Sequence, residues 1–468
     1  MSDTPAPRQY VPLTCHGHSR PVPHLSFSPL EKEEVYYMIS ACKDGNPMLR
    51  DGQTGDWIGT FLGHKGAVWQ ARLSPDATTA ATASADFTAK IWDTHTGELL
   101  YVLQHDHIVR AIAYPFDQSG MIATGGFEKK LRIFDFHDQR PVAESNGPVT
   151  PVTIETSRAF EIGEGVHKEA IKFIVWAQDP RVLVTASGDT LRWFDLPSRR
   201  CIRELRLEAE IKSCELVTLA PSYSSPSDIG GGLPVLAVAA GKTAYFWGGP
   251  RVEDELKQFK LPHGIASVGL DVKGRKFVVG EEPGTWARVY SWDDGKELDV
   301  HKGHHGPIWS IAFSPDGKLY ATGSEDGTIK MWKNCDGDYG LWRGGVIATD
   351  LPDSKAPIPA DKQGPKDATY PPSSEATTAH PATEKVESFS GSAAKTIGNP
   401  TSKAPLERGS ESSCSSQLSS AEKGGSSQFR CTCSSCPWHN SPEKTEDSRL
   451  QEFLRRSAMH MIHARPMR

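Results

Sequence analysis

No stretch of this sequence approaches the roughly 18 consecutive apolar residues that a membrane-spanning helix needs, and the opening MSDTPAPRQY lacks the apolar segment of a secretory leader. Neither a membrane span nor a signal peptide is expected. Positive charge is not in excess: 52 Lys and Arg stand against 58 Asp and Glu, a formal net charge of −6, so bulk neutralisation of a nucleic-acid backbone is not expected either. Cysteine is sparse and odd in number, 9 in 468 residues, with no Asn-X-Ser/Thr sequon, which fits free thiols in a reducing, cytoplasmic compartment better than a disulfide framework. Also missing are a Walker loop, a dinucleotide-binding glycine fingerprint, an H-E-x-x-H helix and a kinase signature. Phosphoryl transfer, hydride transfer and zinc proteolysis therefore have no visible machinery, and the expectation is a non-enzyme without a cofactor.

What is present is unevenly distributed. Of the 40 Phe, Trp and Tyr, 35 lie in residues 1–342, so the core belongs to the N-terminal three quarters. The stretch from about Leu351 to Asp447 is Ser, Thr, Pro, Lys, Gly and Glu, with 14 Ser in residues 401–450, too little apolar surface to offset chain entropy. The sequence thus divides into a flexible N-terminus (1–9), a folded body (10–345) and a disordered Ser/Pro/Thr-rich tail (346–468). At its end Leu450, Phe453, Leu454, Ala458 and Met461 follow helical spacing, a possible short helix over 447–463.

The body repeats. Aligned on the residue that closes each apolar run, the marks are Asp51, Asp93, Asp135, Asp195, Gly248, Asp293 and Lys333, at spacings of 42, 42, 60, 53, 45 and 40. Each unit reads Gly-His, a β-rich run such as AVWQARL (67–73), a Ser-Pro-Asp turn, a small-residue strand such as AATAS (80–84), a turn Asp, then AKIWD. Period-2 alternation runs throughout, with no helical periodicity of any length. Seven four-stranded units predict an all-β, seven-bladed propeller, whose blades bury their faces only collectively. The strand in YVPLTC (10–15) should complete blade seven and remove its open edge. The extra residues 139–165 and 221–234 read as surface loops.

His64, Thr82 and Asp86 with Trp92, and His304, Thr322 and Asp326 with Trp332, imitate a catalytic triad. Because the set recurs at the repeat period, it reads instead as a structural network in which His meets the Thr hydroxyl, Thr meets the indole N–H and Asp fixes the turn. Other repeats degrade it: His18, Ser40 and Asp44 go with Arg50, Glu128 and Phe134 mark the third, and His167 and Thr185 go with Phe194. The fifth and sixth lack the His.

Gly-His followed about 25 residues later by Trp-Asp is the WD-repeat signature. PLTCHGHSRP (12–21), the run 39–69, ADFTAKIWD (85–93), the run 303–332 and YGLW (339–342) resemble the WD-repeat serine-threonine kinase receptor-associated (Unrip) family over residues 10–345. The resemblance implies a non-catalytic scaffold of the survival-of-motor-neuron machinery, working with Gemin-like and Sm proteins in spliceosomal small nuclear ribonucleoprotein assembly, mRNA splicing and RNA processing. Such a scaffold meets RNA only indirectly, acts as a monomer within a larger complex, and belongs to the cytoplasm with a nuclear fraction. It also implies a link to receptor kinases. The alternative is a propeller like subunit i of eukaryotic translation initiation factor 3.

A binding surface can be read from the residues themselves. The residue after the first-strand Val or Ile of each blade should reach the rim of the central mouth; these are Pro23, Trp69, Arg110, Lys172, Lys212, Ala266 and Trp309. Three cations flanked by Trp suit an acidic or aromatic-bearing peptide. The blander reading, that the tryptophans pack on neighbouring blades and the cations solvate the rim, stands beside it. In the tail, Cys431, Cys433, Cys436 and His439 offer four soft ligands to one zinc ion, but the spacing is cramped and fits no finger pattern, so no metal site is expected.

Overall fold

The computed structural model describes residues 11–342, apart from 31–33, 118, 138–140 and 144–148. The tail's cysteine cluster and expected terminal helix lie outside the described residues, as do residues 1–9. Seven antiparallel sheets follow one another along the chain and close into a seven-bladed propeller.

Blade two shows why these residues make these strands. Val68–Leu73 runs innermost, Thr79–Ser84 and Thr88–Asp93 form the middle, and Leu99–Gln104 lies outside. The second strands, such as TAATAS, VLVTAS and LYATGS, are almost wholly buried because a neighbouring blade covers each face, which explains their uncharged composition, rich in small residues. Outer strands alternate instead: RCIRELR (Arg200–Arg206) turns every second residue to water. Seven apolar clusters lie at the seven blade-to-blade interfaces. That of blades one and two joins Ile39 and Leu49 to Ala71 and Trp92, and that of blades six and seven joins Val278 and Val289 to Ile311 and Trp332. No blade has a core of its own.

The ring closes as the sequence predicts. Leu13–Cys15 pairs antiparallel with the third strand of blade seven, Leu13 opposite Met331 and Cys15 opposite Ile329. This supplies the fourth strand and leaves no bare edge at the join.

Two expectations need correction. Residues 139–165 are not simply a loop. Val142–Ala143 pairs with Val149–Thr150, and Val152–Ile154 adds a parallel fifth strand to the outer edge of blade two, beside Leu99–Gln104. The unpaired backbone of that edge strand is the physical reason: a nearby extended segment satisfies it. The sixth repeat is also two residues out of register. Tyr290, opposite Phe277, occupies the place of Trp92, and Ser291 occupies that of Asp93. The Ser291 N–H bonds the Lys296 carbonyl as the Asp93 N–H bonds that of Glu98. Trp292 and Asp293 follow the strand, Trp292 packing on Phe246 and Phe259 of blade five.

The two ends of the channel differ. The Gly-His loops and the turns between second and third strands make the upper face, and the Ser-Pro-Asp turns make the lower. The blade-five insertion runs over the lower face. The Ala220 N–H bonds the Pro315 carbonyl (2.8 Å), the Ile229 N–H that of Val272 (3.2 Å), and the Tyr223 hydroxyl donates to Glu34 (2.7 Å) while accepting from Lys318 (3.3 Å). Inside the channel Arg72 of blade two reaches Glu215 of blade five at 2.7 Å, and His24 of blade one meets the same carboxylate at 3.1 Å. Burial would raise the Glu215 carboxyl, but Arg72 and His24 outweigh it and hold it at about 2.

Candidate protein-binding face

The His–Thr–Asp sets come together where the sequence puts them. In blade two His64 Nε2 lies 2.7 Å from Thr82 Oγ1, the Trp92 indole N–H donates to the same oxygen at 2.9 Å, and His64 Nδ1 lies 2.7 Å from Asp86. Blade seven repeats this with 2.8, 3.0 and 3.0 Å for His304, Trp332 and Asp326 around Thr322. Burial lowers the His64 pKa, so the ring is neutral; with its proton assigned to Nδ1, Thr82 donates to Nε2 and accepts from the indole. Burial would raise the Asp86 carboxyl, yet hydrogen bonds from His64, Thr88 and the Lys65 N–H hold it well below the usual carboxylate range. Every polar atom of the set is engaged, and Thr82 and Thr322 are fully buried.

The other blades lose this closure one group at a time. Blade one keeps His18–Ser40 at 2.8 Å but places Arg50 where Trp belongs, its guanidinium bonded to the carbonyls of His16 and Gly55. In blade three Glu128 meets His105 at 3.3 Å and Arg132, while Phe134 leaves Thr124 Oγ1 without a partner among the described residues. In blade four neither nitrogen of His167 nor Thr185 Oγ1 finds one, and burial lowers His167 to about 4. Blades five and six put Val238 and Val279 at the Thr position.

His18, Cys42 and Asp44 also sit close enough to share a cation. The geometry explains them otherwise. Cys42 replaces the serine of the same turn, its Sγ bonding the Arg20 carbonyl and accepting from the Asp44 N–H as Ser84 does for Gly66 and Asp86. Burial pushes its thiol up to about 12.

The rim residues share one structural cause. Trp69, Arg110, Lys172, Lys212, Ala266 and Trp309 are each the extra residue of a β-bulge on the innermost strand, lifted out of the ladder on the upper side. Their chemistry differs from blade to blade. Lys172 pairs with Glu210, and Lys212 lies 3.8 Å from Glu210 and 3.6 Å from Glu282, so those two cations are neutralised within the rim. Arg110 lies 3.7 Å from the centre of the Trp69 ring. Lys43, which sequence reasoning missed, reaches between two blades to the faces of Trp69 (4.9 Å) and Trp309 (4.1 Å). Its one sequence signal was a lysine beside the turn Asp of a blade whose own rim residue is Pro23.

A closed ring of seven repeating sheets, with buried His–Thr–Trp networks and a cation–aromatic mouth, defines a WD-repeat scaffold. The WD domain, G-beta repeat family model matches residues 55–93 and 295–333. The chain is 41% identical over 334 residues to the serine-threonine kinase receptor-associated protein of Gallus gallus, covering 71% of this chain and 85% of that protein. It is 38% identical over 322 residues to the Dictyostelium discoideum protein of the same name, covering 69% and 98%. This chain belongs to the serine-threonine kinase receptor-associated protein family. The eukaryotic translation initiation factor 3 subunit I of Caenorhabditis elegans is more distant, 25% identical over 344 residues, covering 70% and 97%.

Proposed function

We propose that this chain is the protein-binding scaffold of a survival-of-motor-neuron-type complex that loads Sm rings onto spliceosomal small nuclear RNAs. It holds Gemin-like and Sm proteins in proximity, meets RNA only through them, changes no covalent bond, and acts as a monomer within the larger complex, in the cytoplasm with a nuclear fraction. The observation that carries this reading is the 41% identity running through nearly the whole propeller, joined to an upper mouth that no insertion among the described residues covers. The name borne by these relatives, a receptor-associated protein, supports a second role beside serine-threonine kinase receptors.

The test is affinity purification of the full chain from native cytosol at moderate salt, with partners identified by mass spectrometry. Sm and survival-of-motor-neuron components are expected. Recovery of translation initiation factor 3 subunits in their place would overturn the reading in favour of the subunit-i-like scaffold.

A further inference from the structure

In the channel and around its mouth, Arg72 has Glu215 as an acidic partner, and Lys172 and Lys212 have Glu210 and Glu282. Lys43 and Arg110 do not. Among the described residues neither makes an ion pair or a side-chain hydrogen bond, and their contacts are the faces of Trp69 and Trp309. Burial, and then the Arg110 charge, lower the Lys43 pKa against the opposing pull of Glu325, and burial lowers that of Arg110 to about 10 against that of Glu210. Glu325 and Glu210 act on these two like charges only from beyond ion-pair distance, so an anion arriving from outside would offset the cost of holding them on one aromatic platform.

Next to this platform the same face presents apolar surface. Phe87 and Phe127, 42% and 46% exposed, enclose the His107 ring at centroid distances of 5.4 and 5.5 Å. Phe87 holds φ = +68°, in a turn where blade seven uses Gly327 at φ = +79°. A non-glycine residue there costs about 1 kcal/mol of backbone strain, and the fold gains no buried side chain in return. The phenyl ring instead packs on the His107 ring with 42% of its residue surface exposed.

We infer that the upper face of blades seven, one, two and three is a docking site for an extended acidic peptide, whose carboxylate lies between Lys43 and Arg110 and whose neighbouring apolar or aromatic side chain covers Phe87 and Phe127. Charge complementarity names the occupant: a basic peptide meets two unpaired cations, and a neutral one leaves them unpaired. Blades four and five, neutralised by Glu210 and Glu282, offer no such seat. This deepens the scaffold reading by giving its partners a chemistry, and it rests on that reading.

The test is selection of a random 12-residue peptide library displayed on phage against the full chain, followed by affinity measurement of the enriched peptides by fluorescence anisotropy. Enrichment of sequences pairing Asp or Glu with an aromatic or large aliphatic residue is expected. K43E/R110E should weaken their binding more than tenfold, the milder K43A/R110A should weaken it several-fold, and K172E/K212E should leave it within about twofold. Thermal melts of each variant separate lost binding from lost folding. Enrichment of basic or neutral sequences, no enrichment, or equal losses from both double reversals would overturn the proposal. If Sm and survival-of-motor-neuron components still co-purify with K43E/R110E, the scaffold reading stands and this surface is the part that fails.

Discussion

The two halves of the ring are built from the same repeat and differ in where their polar groups end. Blades two and seven close their networks on a buried Trp, with every hydrogen-bonding atom engaged, and the rim they share with blades one and three leaves Lys43 and Arg110 without an anion. Blades four and five reverse both features. Among the described residues Thr185, His167 and the Trp247 indole lack partners inside, while the rim cations of blades four and five are paired with glutamates. Internal order and external readiness to bind coincide in blades two and seven, whereas blade three, whose Arg110 lines the mouth, leaves Thr124 Oγ1 without a partner among the described residues. A satisfied core network fixes the backbone that presents the mouth residues, and the half without such networks is the one expected to open first.

Substitutions can break this contrast or sharpen it. The largest effect should come from Trp92→Ala or Trp332→Ala. Each removes a buried indole from a blade interface, at a cost of about 3–5 kcal/mol by urea unfolding, and the ring should unfold in one transition because no blade has its own core. Next, Glu215→Gln breaks the link that ties blades one and two to blade five across the channel, leaving Arg72 unpaired at a cost of about 3 kcal/mol. The Glu215 carboxylate, depressed to about 2, contributes stability above its ordinary pKa of 4.5, and that contribution is lost as pH falls toward 2. His167 acts in another window. Its folded pKa of about 4 lies below the ordinary 6.5, so the unfolded chain takes up the proton first and stability falls between those two values. Against His167→Phe, the wild type should lose about 2–3 kcal/mol across that interval in pH-dependent denaturation.

The smallest effects are the most discriminating. Thr82→Val leaves the Trp92 N–H and His64 Nε2 without a partner and should cost about 1–3 kcal/mol, whereas Thr185→Val removes a buried hydroxyl that has none and should be neutral or stabilising. Equal costs at the two sites would erase the distinction between the halves.

Much of this architecture is legible in the chain because it is local and repeated. The seven units, the closing strand at Leu13–Cys15 and the sets around Thr82 and Thr322 all follow from spacings within one repeat or from its missing fourth strand. What escaped depends on contacts between repeats. The Trp-Asp pair at 292 and 293 mimics the repeat ending, yet Trp292 is held by Phe246 and Phe259 of the preceding blade, so the apparent motif sits two residues past the strand. Val152–Ile154 is too short to announce a strand and becomes one only because blade two offers an edge. Lys43 gains its meaning from Trp309, far along the chain, and Glu215 gains its own from His24 and Arg72, 191 and 143 residues away.

The most direct measurement is amide hydrogen exchange of the full chain, free and bound to the partner complex that co-purifies with it. The account predicts slower exchange in blades two and seven than in blades five and six in the free protein, and partner-induced protection at residues 43–46, 85–87, 105–110 and 303–309. Protection confined to blades four to six, or to the lower-face insertion at 218–234, would contradict it.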